Sequence, residues 1–246
     1  MKSIDCLVNK LSYDLHIHSC LSPCGDEDMT PANIMGMAAV KQLEVVALTD
    51  HNSCKNCVAA EKHAKDYGIM FLPGMELTTI EEVHVLCLFQ TVEEAMKFDS
   101  YVGKQMGEVE NVEEIFGRQL ICNEKDEMIG KETNLLIQST KISFDEVYPL
   151  MEEYHGVMIP AHIDKDSHSV LYNLGFVPEG SKFRAAELVG YEGRKSLFQR
   201  HPYLGQCLCL KNSDAHYLEK INEPENFLWV ERKSMAAVFS LLRHGK

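Results

Sequence analysis

No apolar run in the 246 residues approaches the roughly 20 needed to span a bilayer. The opening stretch, MKSIDCLVNKLSYDL, lacks the uninterrupted apolar core of a secretory signal. Basic residues are in deficit, with 24 Lys and Arg against 37 Asp and Glu, for a formal net charge of −13. Such a surface repels phosphate backbones at long range, which argues against long nucleic acid as a partner but leaves room for a local basic pocket. Of the nine cysteines (Cys6, Cys20, Cys24, Cys54, Cys57, Cys87, Cys122, Cys207 and Cys209), only Cys54 and Cys57 form a CxxC pair. The second pair of a zinc ribbon is missing. With no membrane segment and no secretory signal, a cytoplasmic protein with reduced thiols is expected. There is no internal repeat and no low-complexity tract, and the single tryptophan, Trp229 in FLWVE, is expected to pack on a closing strand.

What is present is an alternation of apolar strands and capped helices. Thr30 followed by Pro31 opens a helix over ANIMGMAAVKQ. EVVALTD is a continuous apolar run of strand length, as in a strand covered on both faces. CVAAEKHAKDY reads as a helix ending at Gly68. IMFLPGMEL, VHVLCLF, VMIPAHI, AAELVGY and CLCLKNSDAH read as further strands. Ser143 with Glu146 three residues on has capping-box spacing, and Ser234 and Gly245 bound a closing helix. Strands separated by helices indicate an α/β fold with a parallel sheet or barrel. Residues 1 to 246 are read as one domain, with residues 104 to 142 as a charged, helical inserted excursion.

The polar residues gather at strand ends. His16 and His18 follow LSYDL, Asp50 and His51 end ALTDH, and Glu76 closes PGMEL. His84 stands near the start of its strand, His162 ends PAH, and Asp214 and His216 follow CLCLKNS. In a parallel barrel the strand C-termini share one face, where active sites are built. A lone histidine at a strand end is ordinarily a hydrogen-bonded core or surface group. Several gathered without a cation would suffer repulsion and desolvation with nothing to offset them. Imidazole and carboxylate suit zinc, iron or manganese, and nine donors exceed the needs of one ion, so two or three divalent ions are expected. Alternation in HIH puts His16 and His18 on one side of the chain, and DAH has the same geometry.

With DLHIHS, ALTDHNS, PGMEL, VHVLCLF, PAHID and NSDAH in order from residue 14 to 216, the chain resembles the PHP family, named for its polymerase and histidinol-phosphatase members. The resemblance implies a distorted (β/α)7 TIM-like barrel and metal-dependent phosphoester hydrolysis. It places His16, His18, Glu76 and Asp214 on one metal, and Glu76, His84 and His162 on a second with Glu76 bridging. His51 and His216 would bind a third. The family's further ligand to that third ion is displaced here within SCLSPCGDEDM, where Asp26 is the first replacement and Cys24 the second. Asp50 is expected behind the ligands, orienting a histidine or handling a proton, and Asp50 or His216 would protonate the leaving group.

The family's phosphate-gripping arginine after AHP is absent from AHIDKDSHS. Lys165 could replace it as a point charge, and Arg184 and Arg194 flank AAELVGY as alternatives to solvated loop charges. Glu187 is either behind a ligand or an ordinary strand polar group, and His168 is either a pocket residue or a surface one. Cys57, Cys207 and Cys209 read as small buried hydrophobes. His63, His155, His201 and His244 read as surface groups. The expected activity is hydrolysis of a phosphomonoester or phosphodiester of a small metabolite or nucleotide by a metal-bridging hydroxide. The alternatives are a metal-stabilised regulatory or interaction module and a hydrolase of a non-phosphate bond.

Overall fold

A computed structural model of the chain describes residues 8 to 245, so Cys6 lies outside the described residues. In chain order the main elements are β1 (Asn9–Asp14), α1 (Pro31–Val40), β2 (Val45–His51), α2 (Cys57–Tyr67), β3 (Met70–Thr78) and β4 (His84–Leu88). Next come α3 (Val92–Gln105), α4 (Glu113–Phe116), β5 (Leu120–Cys122), β6 (Met128–Lys131), α5 (Phe144–Glu153) and β7 (Val157–Pro160). The chain ends with β8 (Ala185–Glu187), α6 (Arg194–Arg200), β9 (Leu208–Leu210), β10 (Phe227–Val230) and α7 (Met235–His244).

Helices α1, α3, α5 and α7 start where a side chain can satisfy the first free N–H groups. Thr30 accepts from the Asn33 N–H with Pro31 in the first turn, and Ser143 and Glu146 form both halves of a capping box. Thr91 and Glu94 form another at the head of α3, a helix the sequence reading had passed over. Gly68 ends α2 in the left-handed region at φ 70°.

Strands β1, β2 and β3 run parallel. Strand β4 is antiparallel to both its neighbours, β3 and β7, so β7 runs with β3 again. Strands β8 and β9 pair in parallel. Sparse links complete the ring. The Ile163 N–H donates to Glu187 O at 2.9 Å, the His18 N–H donates to Ala215 O at 2.9 Å, and Ile17 and Ala215 form a parallel bridge. The result is an α/β fold, a distorted seven-stranded barrel, with β10 added antiparallel to the outer half of β1. Leu11, Val45, Leu72, Leu86 and Ile159 fill its interior, and Val238, Phe239 and Leu242 of α7 pack into the same core. A second core lies between the outer strand faces and the helices, with Val46, Leu48 and Met75 against Ile34, Ala60 and Phe98.

Two expectations fail here. The excursion is not helical. After α3 it contains the single turn α4 and the antiparallel hairpin β5–β6. The Asn123 side chain turns that hairpin by accepting from the N–H groups of Lys125 and Glu127, a local bond that competes with helix. Asn56 then docks it, accepting from the Cys122 N–H at 2.9 Å and donating to Leu120 O at 3.1 Å. Trp229 is 58% exposed rather than packed, because β10 turns that position outward while Leu228 and Val230 are buried. Among the described residues no helix is long and apolar enough to cross a membrane.

Candidate metal centre

Along each barrel strand the inward positions change from apolar to polar towards one mouth. In β2 the series is Val45, Ala47, Thr49, His51, and in β3 it is Leu72, Gly74, Glu76, since alternate residues share a face. Strand β4 reads Leu88, Leu86, His84, in reverse chain order. Its antiparallel direction brings its first residue to the mouth where its neighbours end, with His84 opposite Thr78. Backbone geometry finishes the aim at the turns, for Asp214 lies in the left-handed region at φ 52°.

Glu76 is the hub. It is 1% exposed, and its Oε1 lies 2.9 Å from His84 Nδ1 and 3.2 Å from both His16 Nε2 and His162 Nε2. Its Oε2 lies 3.1 Å from His51 Nδ1 and 3.4 Å from His18 Nε2. Asp214 Oδ1 stands 3.4 Å from His16 Nε2 and 3.3 Å from His18 Nε2. Three overlapping donor sets result: His16, His18 and Asp214; His51, Glu76 and His84; and His18, Cys24, His51 and His216.

A layer behind the donors fixes their tautomers. The Nδ1–H of His16 donates to the Glu187 carboxylate at 3.0 and 3.2 Å. Glu187 also accepts from Asn212 Nδ2 at 2.7 Å and from the His162 N–H at 3.1 Å. Ser22 Oγ donates to Asp50 Oδ1 at 2.7 Å, leaving its lone pairs for His18 Nδ1–H at 3.0 Å and the His51 N–H at 3.2 Å. Asp50 is occupied further by the Ser19 N–H and Oγ, both at 2.7 Å. It therefore reaches His18 through Ser22 and does not face the mouth. With both Nδ1 atoms donating, neutral His16 and His18 would set the lone pairs of their Nε2 atoms against each other across 3.1 Å. A cation held jointly with Glu76 and Asp214 relieves that repulsion, so the donor set fits a metal. The buried His51 Nδ1, which faces Glu76 Oε2 and has no hydrogen-bond partner, fits it too.

The same geometry sets the charges. Burial disfavours charge on His16, but Glu187, Glu76 and Asp214 outweigh it and raise its pKa well above the ordinary value. Burial also opposes ionisation of Glu76, which the surrounding histidines His84, His16 and His51 overcome, holding it well below the carboxylate range. Burial lowers His51 and His84 and, with His18 beside it, pulls His216 down to about 4. Glu76 is thus held anionic and His51, His84 and His216 neutral, the protonation states a divalent ion requires, while His16 gives up a proton when an ion binds.

The remaining candidates divide. Asp26 does not join a donor set. Its Oδ1 accepts from the Asp28 N–H at 2.9 Å, while Cys24, the second choice, does join one. Lys165 is at the mouth, with Nζ 3.1 Å from Asp214 Oδ2. Arg184 is not. It precedes Ala185, the first residue of β8, and so lies at the end remote from Glu187. Arg194 begins α6 and packs its guanidinium 5.4 Å from the Tyr191 ring and 5.7 Å from that of Phe198. His168 stacks on His84, with ring centroids 4.7 Å apart. Cys54 and Cys57 are buried, and Cys57 Sγ–H donates towards Leu48 O and Gly74 O. Cys207 is buried and Cys209 half-buried. Ser22 and Asn56 escaped the sequence reading, because serine and asparagine in a loop carry no signal that separates a relay from a turn.

The chain matches the PHP domain family over residues 14–168, more than half its length. It is 37% identical over 79 residues to an uncharacterized protein of Methanocaldococcus jannaschii, covering 29% of this chain and 46% of that one. It is 34% identical over 79 residues to a 5'-3' exoribonuclease of Haemophilus influenzae, covering 31% and 28%. The chain thus aligns with less than half the length of either curated relative. Among solved structures it is similar to a lesion-specific endonuclease from Pyrococcus furiosus, with TM-score 0.66 at 17% identity over 97% of this chain and 57% of that one. It is also similar to a putative metal-dependent phosphoesterase from Bifidobacterium adolescentis, with TM-score 0.59 at 17% identity over 95% and 96%. With its histidine and carboxylate motifs in order and their side chains converging on one barrel mouth, this chain belongs to the PHP domain family.

Proposed function

We propose that the chain is a metal-dependent hydrolase of phosphoester bonds, acting on a nucleotide or on nucleic acid. The observation that carries this reading is the convergence of three donor sets on Glu76 at one mouth. His16, His18, Glu76 and Asp214 would hold one ion, Glu76, His84 and His162 a second, and His51 and His216 take part in a third. Bound there, divalent ions supply an activated water and stabilise charge developing on a phosphoryl oxygen.

The chain's own groups supply orientation and selection. Glu187 and Ser22 hold His16 and His18 with Nε2 forward. Asp50 acts through Ser22 as a positioning residue, so leaving-group protonation falls to groups that face the mouth. Lys165 is one of these, its Nζ beside Asp214. An open groove of about 680 Å³ runs from the site, with Asp214 and His216 at one side and Lys211, Lys220 and Tyr217 along it. Tyr217 is 50% exposed. Two ammonium groups and an aromatic ring beside a metal site suit a phosphate attached to a base.

Nucleic acid therefore returns as a substrate class, against the expectation from net charge. A charge of −13 is an average over the whole surface, whereas the groove carries lysines of its own. The similar Endonuclease Q, which has been solved with a 27-mer duplex carrying an abasic lesion at the active site, supports this choice. The test is a hydrolysis screen of zinc-, manganese- and iron-loaded protein against mononucleotides, dinucleotides, short oligonucleotides and sugar phosphates. Turnover of a nucleotide or an oligonucleotide is expected. No turnover by any fully metallated form would favour a structural role for the ions, and cleavage confined to carboxylic esters or amides would move the activity to a non-phosphate bond.

A further inference from the structure

We propose that Cys24 is a metal ligand, its thiolate completing with His51 and His216 the third ion's site and fitting that site to zinc or ferrous iron. This rests on the metal-dependent reading above, but it concerns one position the family motif does not supply here.

The argument starts from a shortage of donors. The nitrogens and sulfur of His18, Cys24, His51 and His216 lie within 4.8 Å of one another. His18 has one free lone pair, since its Nδ1 donates to Ser22, and that lone pair already faces His16 Nε2 at 3.1 Å and Asp214 Oδ1 at 3.3 Å. One imidazole nitrogen binds one ion, so His18 belongs to the first site. Asp26 has turned its carboxylate to the Asp28 N–H. Without Cys24 the third ion would keep two protein donors. With it the ion has three and an open position, the pattern of a catalytic zinc site.

The loop is built to deliver this sulfur. The Ser22 N–H donates to Ser19 O at 3.0 Å, the Gly25 N–H to Ser22 O at 2.9 Å, and the Asp26 N–H to His216 O at 3.0 Å. The loop that carries Cys24 is thus folded on itself and tied through Asp26 to the turn that carries His216. A Cβ on Gly25 would lie 2.2 Å from Ser19 O, so only glycine allows the turn to close this tightly. Cys24 itself is exposed and lines the groove with Asp214 and His216. The cysteines held for packing, Cys54, Cys57, Cys87 and Cys207, are by contrast buried. Thiolate is a soft donor, preferred by zinc and iron over magnesium or manganese, so the third position should differ in metal preference from the carboxylate-rich positions beside it.

The full chain, stripped and reloaded with cobalt(II), should show thiolate-to-cobalt charge-transfer absorption in the near ultraviolet. Cys24→Asp should lose that absorption while keeping the bound cobalt, and Cys24→Ala should lose one ion per chain. The affinity for that ion should fall at least about tenfold, as even the loss of an outer partner does. Zinc should also protect Cys24 from iodoacetamide, read by peptide mass mapping. Equal carboxymethylation of Cys24 with and without zinc, or an unchanged cobalt spectrum in both variants, would overturn the proposal. Either result would leave the phosphoesterase reading standing if the wild type still hydrolyses a phosphoester. A charge-transfer band in protein that turns over nothing would uphold Cys24 and sink the activity.

Discussion

Replacing Glu187 by glutamine isolates what a buried carboxylate contributes from behind a ligand. Three donors converge on its two oxygens: His16 Nδ1 at 3.0 Å, Asn212 Nδ2 at 2.7 Å and the His162 N–H at 3.1 Å. Glutamine has the same shape but one acceptor oxygen, and it must turn its NH2 towards at least one of those donors. If the oxygen stays with His16, Asn212 or His162 faces a donor. If it does not, His16 loses the partner that fixes Nε2 forward. A charge-assisted bond to a buried partner is worth about 1.5–3 kcal/mol. Loss of such a partner lowers metal affinity about 10–100-fold, or about 1.4–2.7 kcal/mol. The loss should fall on the ion held by His16. It is read by competition against a chromophoric chelator, with Glu187→Asp as a variant that keeps the charge and moves it. If Glu187→Gln binds every ion as the wild type does and its metal-free melting temperature is unchanged, the orienting role is refuted.

Acid should weaken the metal-free fold through His216. His216 is held at about 4, below its ordinary 6.5, so between those values the unfolded chain binds more protons and stability falls as pH falls. His51 and His84 are shifted the same way, while His16 is shifted oppositely and gives stability that fades as pH rises through its raised value. Buried Asp14 and Asp50, whose values burial raises, act the other way over the same range, so the readout is a comparison: from about pH 6.5 to about 4 the melting temperature of the wild type should fall relative to that of His216→Gln, and parallel curves would count against His216 as a source. Ser22→Ala removes the relay from Asp50 and should weaken metal binding about tenfold with little change in helix content, measured by the same chelator competition and circular dichroism. Gly25→Ala forces a Cβ against Ser19 O and should cost about 1–3 kcal/mol, read in urea denaturation. Lys211→Glu and Lys220→Glu together should raise KM for an oligonucleotide several-fold more than for p-nitrophenyl phosphate, and equal effects on both would remove the groove from substrate binding.

The donors that stand at strand ends were legible because ligands and apolar wall share one strand, so His51 and Glu76 interrupt runs that would otherwise be wholly apolar. His84 looked misplaced near the start of its segment. The antiparallel course of β4, which depends on pairing partners distant in sequence, is what brings it to the mouth. Asp26 stays out of the donor sets because aspartate is a good turn acceptor and its carboxylate takes the Asp28 N–H, a local capture that the sequence does not announce. Arg184 and Glu187 are three residues apart, close enough in sequence to be read together, yet the whole of β8 separates them. The hairpin of the excursion was hidden because its strands are three and four residues long, too short for alternation to show.

The closing bridge of the barrel has a mechanical consequence. Ile17 sits between His16 and His18, and Ala215 between Asp214 and His216, so the stitch that joins the first and last strands of the ring is flanked on both sides by the side chains proposed to bind metal. Ions bound there would act as rivets across the seam, and their removal would leave it to a few backbone bonds beneath crowded imidazoles. Chelation should then open the barrel along this line first. The His18 amide, which donates to Ala215 O, would trade its proton with solvent while the amides between β2 and β3 stay protected. Loss of the ions would in this way be felt as slack in the barrel wall as well as emptiness at its mouth.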